Sequence, residues 1–134
     1  MFKLIKILNS GTNTPEPMII AKADAAIAQG ELLVLSGGKL TKASATAKPT
    51  HISLSAAKAA DAEVACAEIT PDMIFECPVA AGTPNTLSVG AKVCLEIANS
   101  TTVGVNTTTA SGVATVYNAM GASAIGDNIL VKFN

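Results

Sequence analysis

A short unit recurs along this chain and limits what it can fold into. Gly30, Gly90 and Gly126 are each followed by apolar residues three and five positions later, and Asp61 begins a weaker copy without glycine. Glycine adopts positive φ without strain and therefore suits a tight turn. Apolar residues that alternate with a period of two are typical of a half-buried β-strand. The chain is therefore predicted to consist of turn-plus-strand units.

The segment from Gly30 to Leu40 carries the strongest of these signals. An apolar run, Leu32 to Leu35, is followed by Ser36-Gly37-Gly38 and then by further strand-forming residues. Two consecutive glycines between apolar runs favour a two-residue hairpin turn, because such turns need positive φ at both central positions. We predict a β-hairpin here.

A second hairpin is predicted around Thr70-Pro71-Asp72-Met73. Residues 64–69 form the ascending strand and residues 74–79 the descending strand, with proline at a turn position that requires φ near −65°. With a two-residue loop, Ile69 faces Ile74 and Cys66 faces Cys77. Oxidation after release from the cell would then join the two thiols.

About nine to eleven short strands with turn signals between them, and no helix longer than two turns, predict an all-β fold. The strand spacing suits an antiparallel barrel or sandwich, and we predict a small antiparallel barrel, with residues 18–134 as a single β domain and residues 1–17 as an extended N-terminal arm. Residues 2–8 alternate as a short strand, and two prolines follow at positions 15 and 17. The alternative is that the first strand forms an edge of the domain itself.

The charge content is low for a soluble domain. Only 14% of the residues are charged, whereas about 25% is typical. Large apolar patches on a free surface tend to associate, so part of this exterior is predicted to be covered by copies of the chain or by another protein. The alternative is a monomer coated with Thr, Ser and Asn. No residue from 97 to 126 is charged, and we predict that this region, with a hairpin through residues 103–117, forms a subunit contact.

Other classes of partner and chemistry are disfavoured. A net charge of −1 offers no basic patch for nucleic acid, and apolar runs of four to five residues are too short to span a membrane. His51, the single histidine, has no local nucleophile motif, so no enzyme activity is expected. Together with Cys66, Cys77 and Cys94 it lacks the close ligand pairs of a zinc site, so no metal or cofactor is expected. An odd cysteine count favours synthesis in a reducing cytosol.

Five segments resemble the small head decoration (cement) proteins of tailed bacteriophages: residues 30–42, 49–54, 69–76, 89–93 and 126–133. The resemblance implies a β-tulip or barrel fold, a homotrimer, and a place on the outer capsid surface of the virion after synthesis in the host bacterial cytoplasm. The implied partner is the major capsid protein. The implied function is to clamp neighbouring capsomers, often through an N-terminal arm.

Two sets of contact residues follow from this interpretation. For the capsid contact we predict apolar residues and prolines of the first 17 positions: Phe2, Leu4, Ile5, Ile7, Leu8, Pro15 and Pro17. For the trimer interface we predict residues of the uncharged region: Val103, Val105, Val113, Val116, Tyr117 and Met120. The alternative function is a receptor- or glycan-binding β-module of a phage fibre or tail, although one Tyr and three Phe offer few rings for stacking sugars.

Overall fold

The computed structural model describes residues 1–8, 18–108 and 112–133. Within these residues the chain forms eleven strands and one turn of 3-10 helix, Pro84–Thr86. The strands are β1 (Lys3–Ile7), β2 (Met18–Ala23), β3 (Leu32–Ser36), β4 (Lys39–Lys42), β5 (His51–Ser53), β6 (Glu63–Glu68), β7 (Met73–Ala81), β8 (Lys92–Ala98), β9 (Thr101–Asn106), β10 (Ala114–Asn118) and β11 (Asn128–Phe133). The prediction of an all-β fold is confirmed.

Strands β2 to β6 form the first barrel, in the order β2-β4-β3-β5-β6, which closes because β6 also pairs with β2. The predicted hairpin is its β3–β4 pair, in which Ser36 faces Lys39. Gly37 and Gly38 form the turn with φ of 57° and 77°. Positive φ at both central residues defines a type I′ turn, so the glycine pair has the role that the sequence indicates.

Strands β7 to β11 form the second barrel. Its strand order, β7-β9-β8-β10-β11, closes through the β11–β7 pair. Strand β1 lies outside this ring and pairs antiparallel with the first half of β7. Strand β7 is nine residues long, so one of its edges holds β1 near its start and β9 near its end.

The two barrels have the same connectivity. In each, the first strand pairs in parallel with the third, the second and third form a hairpin, and the second, fourth, fifth and first follow as antiparallel neighbours. The register also agrees, because Leu33 faces His51 as Val93 faces Ala114. The chain therefore contains an internal repeat of one five-stranded unit.

Backbone hydrogen bonds at the recurrent glycines repeat as well. Gly30 N donates to Ser53 O at 2.9 Å, and Gly90 N donates to Val116 O at 2.8 Å. Both glycines have positive φ, 79° and 88°, and each starts the second strand of its barrel. The predicted turn-plus-strand units at Gly30 and Gly90 are therefore equivalent parts of the two barrels.

The other two units correspond in the same way. Asp61 N donates to Ala23 O and Gly126 N donates to Val79 O, each at 2.9 Å. Asp61 and Gly126 precede the fifth strand of their barrels, with φ of 64° and 99°. The copy without glycine thus keeps the left-handed conformation, which Asp tolerates better than most residues.

Alternation along the strands divides the core between the barrels. Leu33 and its neighbours Leu40, Val64 and Cys66 fill the first barrel. Leu32, the residue before Leu33, points outward and joins the hydrophobic cluster of the second barrel together with Ile52 and Ala67. Period-two side-chain placement thus lets the first barrel have an apolar interior and an apolar outer face.

The predicted hairpin between β6 and β7 is wrong. The turn itself forms, because Met73 N donates to Thr70 O at 3.1 Å. However, β6 pairs with β2 and β5, whereas β7 pairs with β1, β9 and β11. The turn passes from one barrel to the other, and each strand finds its partners within its own barrel. Cys66 and Cys77 therefore lie in different hydrophobic clusters and are not joined by a disulfide.

The predicted hairpin between β9 and β10 is also wrong. Strand β9 pairs with β8 and β7, and β10 pairs with β8 and β11. The hairpin partner of β9 is β8, across a turn at Asn99 and Ser100 with φ of 50° and 61°. Residues 109–111, at the tip of the predicted hairpin, lie outside the described residues.

The extended N-terminal arm is not confirmed. Residues 3–7 form a strand of the sheet, with Lys3 opposite Glu76. Phe2 is 3% exposed, and its ring centroid lies 5.8 Å from that of Phe133. The start of the chain follows the alternative interpretation, an edge strand, because its apolar side chains have a partner surface within the chain. Residues 9–17 lie outside the described residues.

Candidate functional site

The residues predicted for capsid contact are only partly on the surface. Phe2 is buried, and Leu4 and Ile7 are half-buried against the core of the second barrel. Ile5 and Leu8 are half-buried. Pro15 and Pro17 lie outside the described residues. Phe2 is therefore unavailable to a capsid, because its ring is held between the chain's own strands.

The residues predicted for the trimer interface divide in the same way. Val105 and Val116 are 0% and 1% exposed and face the interior of the second barrel, so they are unavailable to another chain. Val103 and Val113 are half-buried. Tyr117 and Met120 are exposed, at 40% and 53%. The alternation of apolar and polar residues in β9 and β10 is visible in the sequence, but composition does not tell which face of each strand points inward.

Tyr117 and Met120 lie at one end of the second barrel with two further exposed apolar residues. Val89 is 73% exposed and Ile125 is 55% exposed. The end of β10 lies beside the start of β8, since Gly90 N donates to Val116 O, and residues 119–127 connect β10 to β11 over the same end. We call Val89, Tyr117, Met120 and Ile125 the apolar end.

Sequence reasoning missed two residues of the apolar end. Val89 directly precedes Gly90, and Ile125 directly precedes Gly126. At the equivalent positions of the first barrel, Gln29 precedes Gly30 and a small alanine precedes Asp61. The sequence signal for Val89 and Ile125 is therefore a large apolar residue directly before a turn glycine. That position lies outside the strand and points away from the barrel.

Hydrogen bonds hold the loop at residues 119–127, which carries Met120 and Ile125 of the apolar end. Asp127 Oδ2 accepts from the backbone N–H of Ser123 at 2.9 Å and of Ala124 at 3.0 Å. These two bonds favour the ionised carboxylate and lower the pKa of Asp127. Met120 N donates to Asn118 Oδ1 at 2.8 Å. Met120 and Ile125 therefore extend from a loop whose backbone is held by these hydrogen bonds.

The groups considered for chemistry are mostly buried. His51 is 5% exposed, and its Nδ1 lies 2.8 Å from Thr50 Oγ1. Burial lowers the pKa of His51, partly opposed by Glu68, so the ring is neutral at pH 7. Burial raises the pKa of Cys77 to about 12 and also raises that of Cys66. Both thiols are therefore protonated and weakly nucleophilic at neutral pH.

Glu31 is a fully buried carboxylate in the first barrel. Its Oε2 accepts from Ala28 N at 2.9 Å, and Lys42 Nζ lies 3.5 Å from its Oε1. Ser53 Oγ accepts from Glu31 N and donates to Ala28 O. These bonds connect the loop before β3 to β5. The buried position of Glu31 is therefore explained by its structural role in holding this loop.

Within residues 1–8, 18–108 and 112–133, no group of three or more His, Cys, Asp or Glu side chains could hold a metal ion. In the same ranges, none of the helical structure has the length and apolar character needed to cross a bilayer.

A scan against protein-family models finds no family that matches the chain, and a search of curated proteins also finds no match. The resemblance to phage decoration proteins therefore stays a prediction, and the functional argument depends on the surface of the molecule.

Proposed function

We propose that this chain is a structural protein that decorates the outer surface of a phage capsid and stabilises contacts between capsomers. The observation that supports it is the apolar end, where four large apolar side chains are exposed and two of them, Met120 and Ile125, lie in a hydrogen-bonded loop. A chain with 14% charged residues has few charged side chains with which to keep such an exposed apolar surface from associating. Contact with other protein surfaces removes these side chains from water.

The energetics suit a multivalent clamp. Complete burial of one such apolar side chain stabilises a contact by about 1.5–3 kcal/mol, from which the cost of association is subtracted. One apolar end therefore gives a modest contact. A homotrimer that engages the major capsid protein three times multiplies weak contacts through effective concentration.

We assign the apolar end to contact between copies of the chain. In this proposal Tyr117 and Met120 keep the role predicted for them, and Val89 and Ile125 join them. A closed three-fold ring needs a heterologous contact, in which two different patches of each copy meet. Capsid contact then falls to surface residues elsewhere, including the half-buried Ile5 and Leu8 of the N-terminal segment.

The experiment compares a variant of the apolar end with a control variant of the first barrel. Tyr117→Ser with Met120→Ser alters the apolar end, and Leu35→Ser alters a residue that is 39% exposed in the first barrel. Light scattering gives the molecular mass, and co-sedimentation with undecorated heads gives capsid binding. We expect a trimer that binds heads for the wild type and for Leu35→Ser, and a monomer with weakened binding for the double variant. A monomeric wild type that does not bind heads would refute the proposal.

The alternative, a glycan-binding module of a fibre or tail, is supported by one observation. Tyr117 presents an exposed ring, whereas Phe2, Phe75 and Phe133 are buried. Sugar recognition commonly uses stacking on aromatic faces, and one ring is a small platform. A glycan-array signal that disappears in Tyr117→Ser would favour this function over capsid decoration.

A further inference from the structure

The two barrels differ at one strand edge. In the second barrel, β1 pairs with β7 over Met73–Glu76. The matching registers of β2 on β6 and of β7 on β11 make Ile20 equivalent to Glu76 and Met18 equivalent to Ile74. Among the described residues, no strand pairs with this edge of β2 at Met18–Ile20. The repeat therefore has a filled edge in one copy and an open edge in the other.

The direction of the backbone groups follows from alternation along β2. Ala23 N donates to Ala62 O, toward the β6 side, whereas Lys22 faces β4 on the opposite side. Successive residues of a strand direct their N–H and C=O groups to opposite edges. Ile20 and Met18 therefore present their backbone groups on the β4 side, before β4 begins to pair.

The side chain at the centre of this edge is unusual. Ile20 is 63% exposed, although exposed edge strands are usually protected by charge, proline or a covering segment. Its equivalent, Glu76, is half-buried and lies opposite Lys3 of β1. The first barrel thus combines a free strand edge with an exposed apolar residue, where the second has a polar residue and a partner strand.

We propose that the β2 edge at Met18–Ile20 is a docking site for an extended strand of another protein. The strand adds antiparallel to β2, as β1 adds to β7, and backbone hydrogen bonds supply most of the recognition. Because Ile20 replaces Glu76, the residue of the partner opposite Ile20 is apolar, where β1 has Lys3. Strand β1 of this chain is already paired with β7 and is not the occupant, and we assign the open edge to a strand from a different protein.

The inference is independent of capsid decoration and is tested without heads. The probe is a synthetic peptide with the sequence of residues 2–8 in which valine replaces Lys3, so that an apolar residue can lie opposite Ile20. Amide hydrogen exchange, read by NMR, reports the N–H groups of Met18 and Ile20. In the free protein we expect fast exchange at both, and with saturating peptide we expect exchange slowed at least about tenfold.

Two variants separate strand addition from non-specific adhesion. Ile20→Pro removes an N–H that points to the open edge and keeps the β6 side of the strand intact, so peptide binding should be lost. Ile20→Thr keeps both the N–H and the β-branched shape, so binding should persist. Slow exchange at Met18 and Ile20 in the free protein, or exchange unchanged by the peptide, would overturn the proposal, and both are read in the wild type.

Discussion

The two barrels share one connectivity but use the outer face of their second, fourth and fifth strands in opposite ways. In the first barrel this face carries Leu32, Ile52 and Ala67, which are buried against the second barrel. At the equivalent positions the second barrel has Lys92, Thr115 and Lys132. Lys92 Nζ donates to Thr115 Oγ1 at 2.8 Å. The interior of each copy is apolar, so the outward positions decide which face packs on a neighbour.

The ends of the two barrels differ as well. The second barrel has the apolar end, whereas the equivalent loops of the first contain Gln29 and Lys58. One copy of the repeat therefore supplies the interface within the chain, and the other carries the surface that we assign to contact between chains. This difference leads to four predictions, each of which compares a residue of one barrel with a residue of the other.

The largest effect is expected at the edge that β1 covers. Phe2→Ala removes a buried ring that packs on Phe133 and should cost about 3–5 kcal/mol in the free energy of unfolding. Ile20→Ala, on the equivalent open edge of the first barrel, should cost less than about 0.5 kcal/mol in the isolated chain. Urea unfolding followed by circular dichroism measures both. Equal costs would contradict the assignment of one filled edge and one open edge.

A smaller effect is expected where the first and third strands of each barrel pair in parallel. A Cβ at Gly104 would lie 2.3 Å from Pro78 O, so Gly104→Ala should cost about 1–3 kcal/mol through overpacking. Lys39 is the equivalent residue, with an exposed ion pair to Asp61 at 2.9 Å, and Lys39→Ala should destabilise the chain less than Gly104→Ala, because exposed ion pairs contribute little to stability. Thermal unfolding of the two variants checks the order, and a Gly104→Ala variant as stable as the wild type would show that the β7–β9 approach is not tight.

The turns before the fifth strands should respond next. Gly126→Ala places a side chain at φ of 99° and should cost about 1–2 kcal/mol. Asp61→Gly at φ of 64° relieves the backbone and loses an exposed ion pair, so the two effects oppose each other and the net change in the free energy of unfolding should be smaller than that of Gly126→Ala. The midpoint of urea unfolding measures both changes. A larger loss for Asp61→Gly would mean that its ion pair with Lys39 matters more than its backbone conformation.

The smallest effect is expected in the acid titration of Asp61 and Asp127. The hydrogen bond and charge of Lys39 lower the pKa of Asp61, and the backbone N–H groups of Ser123 and Ala124 lower the pKa of Asp127. A lowered folded-state pKa gives stabilisation that is present above the unfolded value and is lost as pH falls through the folded value.

Salt separates the two causes. In 1 M NaCl the pKa of Asp61 should rise toward its ordinary value, because salt screens exposed charges, whereas the pKa of Asp127 should change little. Carboxyl carbon NMR titration measures both values. An equal salt response at the two sites would mean that charge, and not the turn amides, acts on Asp127.

Local features of the fold could be predicted from the sequence. The Gly37-Gly38 turn and the recurrent units at Gly30, Gly90 and Gly126 depend on φ preferences and on alternation, which neighbouring residues determine. The partners of β6 and β7 could not be predicted in this way. A turn at Pro71 and two apolar strands suit a hairpin, but both strands pair with segments distant in sequence, and period-two alternation carries no information about which strand is the neighbour.

The candidate site shows the same limit. Composition singles out the uncharged region that contains Tyr117 and Met120, but it gives no way to separate these exposed residues from Val105 and Val116, which point inward. Which face of β9 and β10 points inward is decided when the barrel closes, and closure requires the pairing of β7 with β9. The recurrent glycines reflect the internal repeat. Only the hydrogen bonds of the folded chain show that Gly30 corresponds to Gly90 and that Asp61 corresponds to Gly126.

The contact between Phe2 and Phe133 brings the beginning and the end of the chain together. Their rings are 5.8 Å apart, and the amino group of Met1 lies 3.3 Å from Val103 O in the second barrel. Chains with neighbouring termini tolerate circular permutation. A short linker between residues 134 and 1, with new termini at the exposed Gly37-Gly38 turn, should therefore preserve both barrels and move the attachment point for any fused cargo to the opposite barrel.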